Sequence, residues 1–198
     1  WSSDVCSSDL LALLLSVPFG VGAAIYLVEY AKKGNKLVGI IRVTAETLSG
    51  IPSIIYGLFG MLFFVTALKW GYSMMAGAAT LAIMVLPVIM RTTEEALLCV
   101  PDSFREGSFG LGAGKLRTIF KIVLPSAIPG ILSGIILAIG RIVGETAALI
   151  YTSGTVANLA GFFDSGRTLA IHMYSLSREG MHTNEAYATA VVLLIVVL

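Results

Sequence analysis

Long apolar runs separated by short polar links dominate the pattern of this 198-residue chain. A helix needs roughly 20 predominantly apolar residues to cross a lipid bilayer. Runs of about that length cover residues 10–28, 47–68, 72–90 and 122–151, and a fifth begins near Ala186. Proline and glycine within these runs are compatible with spanning helices, because neighbouring helices can satisfy the backbone groups that they free. The pattern predicts an all-α, polytopic membrane protein with about five transmembrane helices present.

The lysines and arginines of the links indicate an orientation. They concentrate between the first and second runs and between the third and fourth runs: Lys32, Lys33, Lys36 and Arg42, then Arg91, Arg105, Lys115, Arg117 and Lys121. Because short cytoplasmic loops retain Lys and Arg, we expect these two links to face the cytoplasm of a cell membrane that the chain crosses several times. Hydrophobic residues make up 57% and charged residues 13%, with a net charge of +1. These values are unlike those of soluble domains, fit lipid as a neighbour and suggest no nucleic-acid partner.

Both ends of the chain suggest a fragment. Residues 1–10 look like the translation of a sequencing-adapter oligonucleotide, so we expect this segment to be non-native and the membrane domain to cover residues 11–198. The last apolar run stops at Leu198 without a polar boundary. We therefore expect the native N-terminus and the end of the last helix to be missing.

The polar link at about residues 91–125 has its own helical pattern. Ser103 and Glu106 have the spacing of a capping box, which predicts a short helix from about Phe104 to Leu111. Gly112 is placed to end that helix. Phe104, Phe109 and Leu111 give it apolar surface that lipid need not cover. One interpretation is a docking helix; the other is an ordinary amphipathic interfacial helix in which Glu106 is only a cap.

The spacing within this link resembles a family motif. Glu106-Gly107-Ser108, a glycine at position 112, and Ile122-Val123-Leu124-Pro125 resemble the EAA loop by which the permeases of ABC importers dock on their ATPase. Gly107 and Ser108 stand where alanines are commoner in that family. Three further segments resemble the phosphate branch of the family, and within it the A-type subunit: GAAIYLVEYA (22–31), SGIPSIIYGLFG (49–60) and GRIVGETA (140–147).

The resemblance implies a fold, partners and a role for the link. It implies a MetI-like importer permease, normally of six helices, of which this chain lacks the first and the end of the last. The implied partners are a second permease subunit in a heterodimer, two ATP-binding subunits and an extracytoplasmic phosphate-binding protein. The implied function is that of a transmembrane subunit of an ATP-driven phosphate importer. Coupling to the ATPase is then assigned to Phe104, Glu106, Gly107, Ser108 and Gly112.

Arg141, Glu145 and Thr146 are the candidates for contact with a transported anion. A charge inside a membrane is costly unless it is paired or hydrated, so charged residues there are functional candidates. Both are expected within the fourth apolar run, and their i, i+4 spacing places Arg141 and Glu145 on one helical face, close enough to pair. A guanidinium offers a fork of donors that matches phosphate oxygens, and Thr146, Thr152 and Ser153 can add neutral hydrogen bonds. The alternative is a buried pair that fixes the helix or bridges to the partner subunit.

The remaining sequence features favour a permease that is not itself an enzyme. The glycines before Lys115 lack the spacing and the following hydroxyl residue of a nucleotide-binding loop, so ATP hydrolysis is expected from partner subunits. No metal-ligand spacing occurs, and no cofactor is expected. Residue chemistry alone leaves a permease for another oxyanion, such as molybdate or sulfate, open. An ion-driven carrier or membrane enzyme would need intramembrane carboxylate or histidine clusters that these runs lack.

Overall fold

The computed structural model describes residues 2–32, 35–155, 164–180 and 183–197, and every regular element within them is helical. The α-helices are α1 (Ser2–Ile25), α2 (Lys36–Ser49), α3 (Ser53–Gly60), α4 (Met74–Leu98), α5 (Asp102–Gly110), α6 (Lys115–Thr118), α7 (Leu124–Val143), α8 (Ala147–Thr152), α9 (Leu169–Glu179) and α10 (Thr183–Val197). This confirms the all-α prediction. That residues 1–10 are non-native stays a prediction.

In the described part of the chain, three π-helical turns extend or join these α-helices. Tyr26–Tyr30 continues α1, Met61–Ala67 continues α3, and Ile119–Val123 joins α6 to α7. The last of these lies directly before Pro125, whose ring would clash with the Lys121 carbonyl in a regular α-helix. The wider turn lets the helix continue through the proline.

Several helices are long and apolar enough to cross a bilayer. Within the described residues these are Ser8–Tyr30, Met74–Leu98 and Lys115–Val143, with a possible fourth if Lys36–Ser49 and Ser53–Ala67 form one broken span. Thr183–Ile195 is a shorter apolar helix. The polytopic organisation predicted from the apolar runs is therefore confirmed, although the helix bounds differ from the runs.

The differences in bounds have local causes. The second span was expected from residue 47, but Pro52 precedes a new helix that begins at Ser53. The third was expected to end near Met90, but α4 continues to Leu98. Its polar last turns contain good helix formers, and the helix stops only as the chain approaches Pro101, because a residue before proline disfavours helical geometry. The first non-helical residue of the link is therefore Cys99, eight residues after the expected start at position 91.

The chain divides into two compact units. The first unit comprises residues 1–15, 51–85 and 139–198, and the second comprises residues 16–50 and 86–138. In the first unit, α3 approaches α8 so closely that a Cβ added to Gly57 would lie 2.8 Å from the Ala148 Cα atom. Gly60 similarly meets the side chains of Thr80 and Thr152. Small residues thus allow backbone-to-backbone packing, as is common between membrane helices.

The second unit has an apolar core built from α1, the second half of α4 and the segment around α7. Its buried members include Leu27, Leu97 and Val123. A Cβ added to Gly130 would lie 2.6 Å from the Ala96 Cβ atom, and one added to Gly134 would collide with Thr92. This glycine pair on α7 therefore packs against α4 of the same chain.

Candidate functional site

The N-cap of α5 is Pro101, not the serine that the capping box predicted. Pro101 has φ −57° and ψ 138°, and its carbonyl accepts a hydrogen bond from the Phe104 N–H at 3.1 Å. Asp102 is the first helical residue, where a carboxylate is favoured by the helix dipole. The predicted capping box is wrong, because Ser103 already lies inside the helix and cannot be its N-cap. The helix itself is confirmed, two residues earlier than expected.

Gly112 ends this helix through a complete Schellman motif. The Ala113 N–H donates to the Ser108 carbonyl at 3.1 Å, and the Gly112 N–H donates to the Phe109 carbonyl at 2.9 Å. Gly112 has φ +81°, in the left-handed region that favours glycine. The predicted position of the helix end is confirmed.

The Arg105 guanidinium holds α5 to the rest of the second unit. Its Nε and Nη2 donate to Oε1 of Glu29 at 3.0 and 2.9 Å. Nη1 also donates to the Val100 carbonyl at 2.8 Å and to Oδ1 of Asp102 at 3.1 Å, and Nη2 donates to the Leu97 carbonyl at 3.0 Å. All five N–H donors of the side chain are therefore used.

This arrangement connects three elements. Glu29 lies in the π-helical turn that ends the first span, and Arg105 lies on α5. Leu97 lies in the last turn of α4, and Val100 follows two residues after that helix ends. The side chains of Arg105 and Glu29 are only 15% and 9% exposed, so the pair is largely shielded from water. The last carbonyls of a helix have no partner within it, and here Arg105 supplies a donor. Sequence reasoning did not single out this pair; the only available signal was that Glu29 directly follows the first apolar run and that Arg105 lies in a polar link on the same predicted side of the membrane.

The second half of the link makes its own contacts. The Lys115 ammonium lies 4.9 Å from the centroid of the Tyr30 ring, a cation–π distance. Ser108 and Thr118 share a buried hydrogen bond of 2.8 Å that joins α5 to the α6 segment. Residues 101–118 are the middle of the link at about 91–125 that is predicted to couple to the ATPase, and they are called the coupling loop below. They contact the two adjacent residues Glu29 and Tyr30.

The structure separates the five predicted coupling residues into exposed and buried groups. Glu106, Gly107 and Gly112 are exposed, and Phe104 is 49% exposed. Ser108 is 4% exposed, so it holds the loop together and is not available to a partner surface in this structure. Phe109 and Leu111 are 48% and 91% exposed, which gives the loop an apolar outer surface.

A second group of charges links α2 to α4 in the same unit. Arg42 pairs with Glu94 at 2.5 Å, and Arg91 pairs with Glu46 and Glu95, both at 3.2 Å. These contacts and those of the coupling loop bring together the two links that were predicted to share the cytoplasmic side.

The predicted helical pairing of Arg141 with Glu145 is wrong. α7 ends at Val143, so the two residues do not lie on one continuous helix. Instead, Oε1 of Glu145 accepts the Ala148 N–H at 3.1 Å and caps the start of α8. Arg141 is half-buried, and no ion pair joins it to a carboxylate in the part of the chain that the structure describes.

The hydroxyl groups proposed as extra donors differ in availability. Thr146 is half-buried at the break between α7 and α8. Thr152 donates to the Ala148 carbonyl at 2.9 Å, and Ser153 donates to the Gly166 carbonyl at 2.7 Å. Because their protons are already committed to the backbone, Thr152 and Ser153 can offer an anion no donor in this arrangement. Within the described residues, no group of three or more His, Cys, Asp or Glu side chains could hold a metal ion.

Comparison with known proteins gives consistent results. The family model described as "Binding-protein-dependent transport system inner membrane component" matches residues 16–198. The chain is 38% identical over 185 residues to the Bacillus subtilis protein named "Probable ABC transporter permease protein YqgI", covering 86% of this chain and 63% of that protein. It is 38% identical over 191 residues to "Phosphate transport system permease protein PstA 1" of Mycobacterium tuberculosis, covering 94% of this chain and 62% of that protein. The chain thus spans less than two thirds of the length of these relatives.

A solved structure supports the fold. The match is to the MetNI methionine ABC transporter in an inward-facing conformation, with a TM-score of 0.72 at 21% identity. It covers 98% of this chain and 85% of the matched chain. At this level of identity the likeness shows a shared MetI-like fold.

The first testable prediction concerns the end of α5. Gly112→Ala forces a side chain into left-handed geometry at a cost of about 1–2 kcal/mol, so the amides of residues 111–113 should exchange faster with deuterium. Gly110→Ala is the matched control: an added Cβ meets nothing within 4 Å at either glycine, but Gly110 lies inside α5. Equal exchange in the two variants would contradict the capping role of Gly112.

Proposed function

Because the chain belongs to the family of binding-protein-dependent transport system inner membrane components, we propose that it is a permease subunit of an ATP-driven importer of inorganic phosphate. It forms half of the translocation pathway, and a second permease subunit forms the other half. Two separate ATP-binding subunits supply the energy, and an extracytoplasmic binding protein delivers phosphate. The chain performs no covalent chemistry.

The geometry of the coupling loop is the observation that best supports ATP-driven transport. α5 has a defined start, a Schellman end and a fully bonded arginine, so it is a stiff element rather than a loose link. Its outer surface nevertheless exposes Phe104, Phe109 and Leu111. An exposed apolar patch on a rigid polar link marks a protein-interaction site. Phe104, Glu106 and Gly107 are the predicted contacts with the ATPase, while Ser108 and Gly112 keep the loop in shape.

The choice of phosphate rests on relatives and on site chemistry. Besides the Mycobacterium protein, the Yersinia pestis protein "Phosphate transport system permease protein PstA" is 41% identical over 155 residues, which covers 77% of this chain and 52% of that protein. Arg141 carries a cationic fork without a carboxylate partner among the described residues. Such a group can contact phosphate oxygens in a pathway whose other half comes from the second permease.

The pathway residues take different roles in this proposal. Arg141 attracts the anion, and Thr146 provides a hydroxyl at the break between α7 and α8. Glu145 acts through backbone geometry: by capping α8 it fixes the break that follows Arg141. ATP-driven closure of the ATPase subunits displaces the coupling loop, and the spanning helices alternate between outward and inward access. A permease subunit for molybdate or sulfate is the second candidate, because a guanidinium also binds those oxyanions.

The second testable prediction concerns the outer surface of α5. Phe104→Ala combined with Phe109→Ala removes apolar surface that is half exposed in this chain, so we expect the ATPase subunits to copurify poorly and phosphate uptake to fall. Ser103→Ala is the control on the same helix, because Ser103 is exposed and has no structural role in the capping. Full ATPase retention and uptake by the double variant would exclude this surface as the docking site.

The third testable prediction concerns Arg141. Charge-assisted hydrogen bonds contribute roughly 1.5–3 kcal/mol, so Arg141→Gln should lower phosphate uptake into proteoliposomes by at least about tenfold while the complex still assembles. Arg178→Gln removes an exposed arginine of the same unit and should leave uptake unchanged. Competition by phosphate, molybdate and sulfate in the unmodified complex separates the candidate substrates. Wild-type uptake by the assembled Arg141→Gln complex would remove this residue from the pathway.

A further inference from the structure

We propose that Glu29 and Tyr30 are positioning residues that receive the movement of the coupling loop and pass it to the first spanning helix. The inference rests on the proposed function for the existence of a loop movement, but it identifies where in this chain that movement enters the membrane helices. It concerns a contact within the second unit, apart from the surface that meets the ATPase.

The two halves of the loop converge on adjacent residues. Arg105, on α5, binds the Glu29 carboxylate through two nitrogens, and Lys115, at the start of α6, lies over the Tyr30 ring. The Ser108–Thr118 hydrogen bond joins these halves to each other. A force on α5 therefore reaches residues 29 and 30 through two contacts that act together.

The ion pair is suited to transmit movement. Exposed ion pairs are weak and exchange partners easily. Glu29 and Arg105 are instead shielded, and the guanidinium fork fixes both distance and direction. Arg105 also donates to the Leu97 carbonyl in the last turn of α4 and to the Val100 carbonyl just after it. Arg105 therefore connects α5 to both the end of α4 and residue 29.

The receiving segment continues directly into an apolar span. Residues 26–30 form the π-helical turn at the end of the candidate span Ser8–Tyr30. Leu27, within this turn, is 4% exposed and belongs to the core of the second unit together with Leu97 and Val123. π-Helical turns often occur at functional sites. Because Leu27 is packed in that core two residues from Glu29, a backbone displacement at residue 29 disturbs the core unless the span moves with it.

The test measures how much phosphate is imported per ATP hydrolysed. The complete complex, with both permeases, the ATPase subunits and the binding protein, is reconstituted in proteoliposomes, and both rates are measured on the same vesicles. Glu29→Gln should reduce the ratio at least about tenfold, because the charged acceptor of two hydrogen bonds is lost. Tyr30→Leu should reduce it about two- to fivefold, the range of a cation–π contact at an exposed site.

Three controls separate transmission from stability. Tyr30→Phe keeps the aromatic ring, so the ratio of phosphate imported to ATP hydrolysed should stay at the value of the unmodified complex. Glu95→Gln removes an exposed carboxylate of another ion pair in the same unit and should leave the ratio unchanged. A purely structural role would lower the amount of assembled complex without changing the ratio in the complexes that remain. If Glu29→Gln does not assemble, the comparison of Tyr30→Leu with Tyr30→Phe decides.

Failure of this inference is distinct from failure of the proposed function. If the assembled variants keep the full ratio, Glu29 and Tyr30 do not transmit movement, whatever the substrate. If the unmodified complex imports no phosphate, the substrate assignment is wrong. The same ratio is then measured with molybdate or sulfate, whichever the unmodified complex imports.

Discussion

The Arg105 guanidinium imposes the constraint on which the coupling loop depends. Its five hydrogen bonds fix α5 against the end of α4 and against Glu29. A buried arginine is stable only when such partners are present, so the surrounding carbonyls and carboxylate must keep their positions. Phe104 and Phe109, on the same helix, nevertheless remain 49% and 48% exposed. The helix is therefore fixed internally while part of its apolar surface stays exposed.

The break after Val143 imposes a different constraint, in the first unit. An uninterrupted helix would allow Arg141 and Glu145 to neutralise each other. The break instead directs Glu145 to the backbone of α8 and leaves Arg141 without a carboxylate partner among the described residues. Close packing at Gly57 holds α8 against α3 and so stabilises this arrangement. A cation that has no carboxylate partner in the described part of the chain is chemically better suited to an anion than a closed ion pair is.

Much of this organisation could be predicted from local sequence. Long apolar runs identified the spans, and Gly112 identified the end of α5, because left-handed geometry selects glycine within a few residues. The capping box and the helical Arg141–Glu145 pair were wrong for one reason: spacing is compatible with a motif but does not show that the helix starts or continues there. The Arg105–Glu29 pair joins residues 76 positions apart. No periodicity connects positions so distant, and neither charge is unusual in its own link.

If Glu29 and Tyr30 transmit movement, the coupling loop and the end of the first span move as one body. The most direct measurement is the distance between spin labels introduced as Tyr26→Cys and Leu111→Cys, two exposed positions, in a complex whose chain lacks Cys6 and Cys99. The account predicts the same narrow distance distribution with and without ATP, and a broader one when Glu29→Gln is added. A distance that changes with ATP in the otherwise unmodified complex would contradict it.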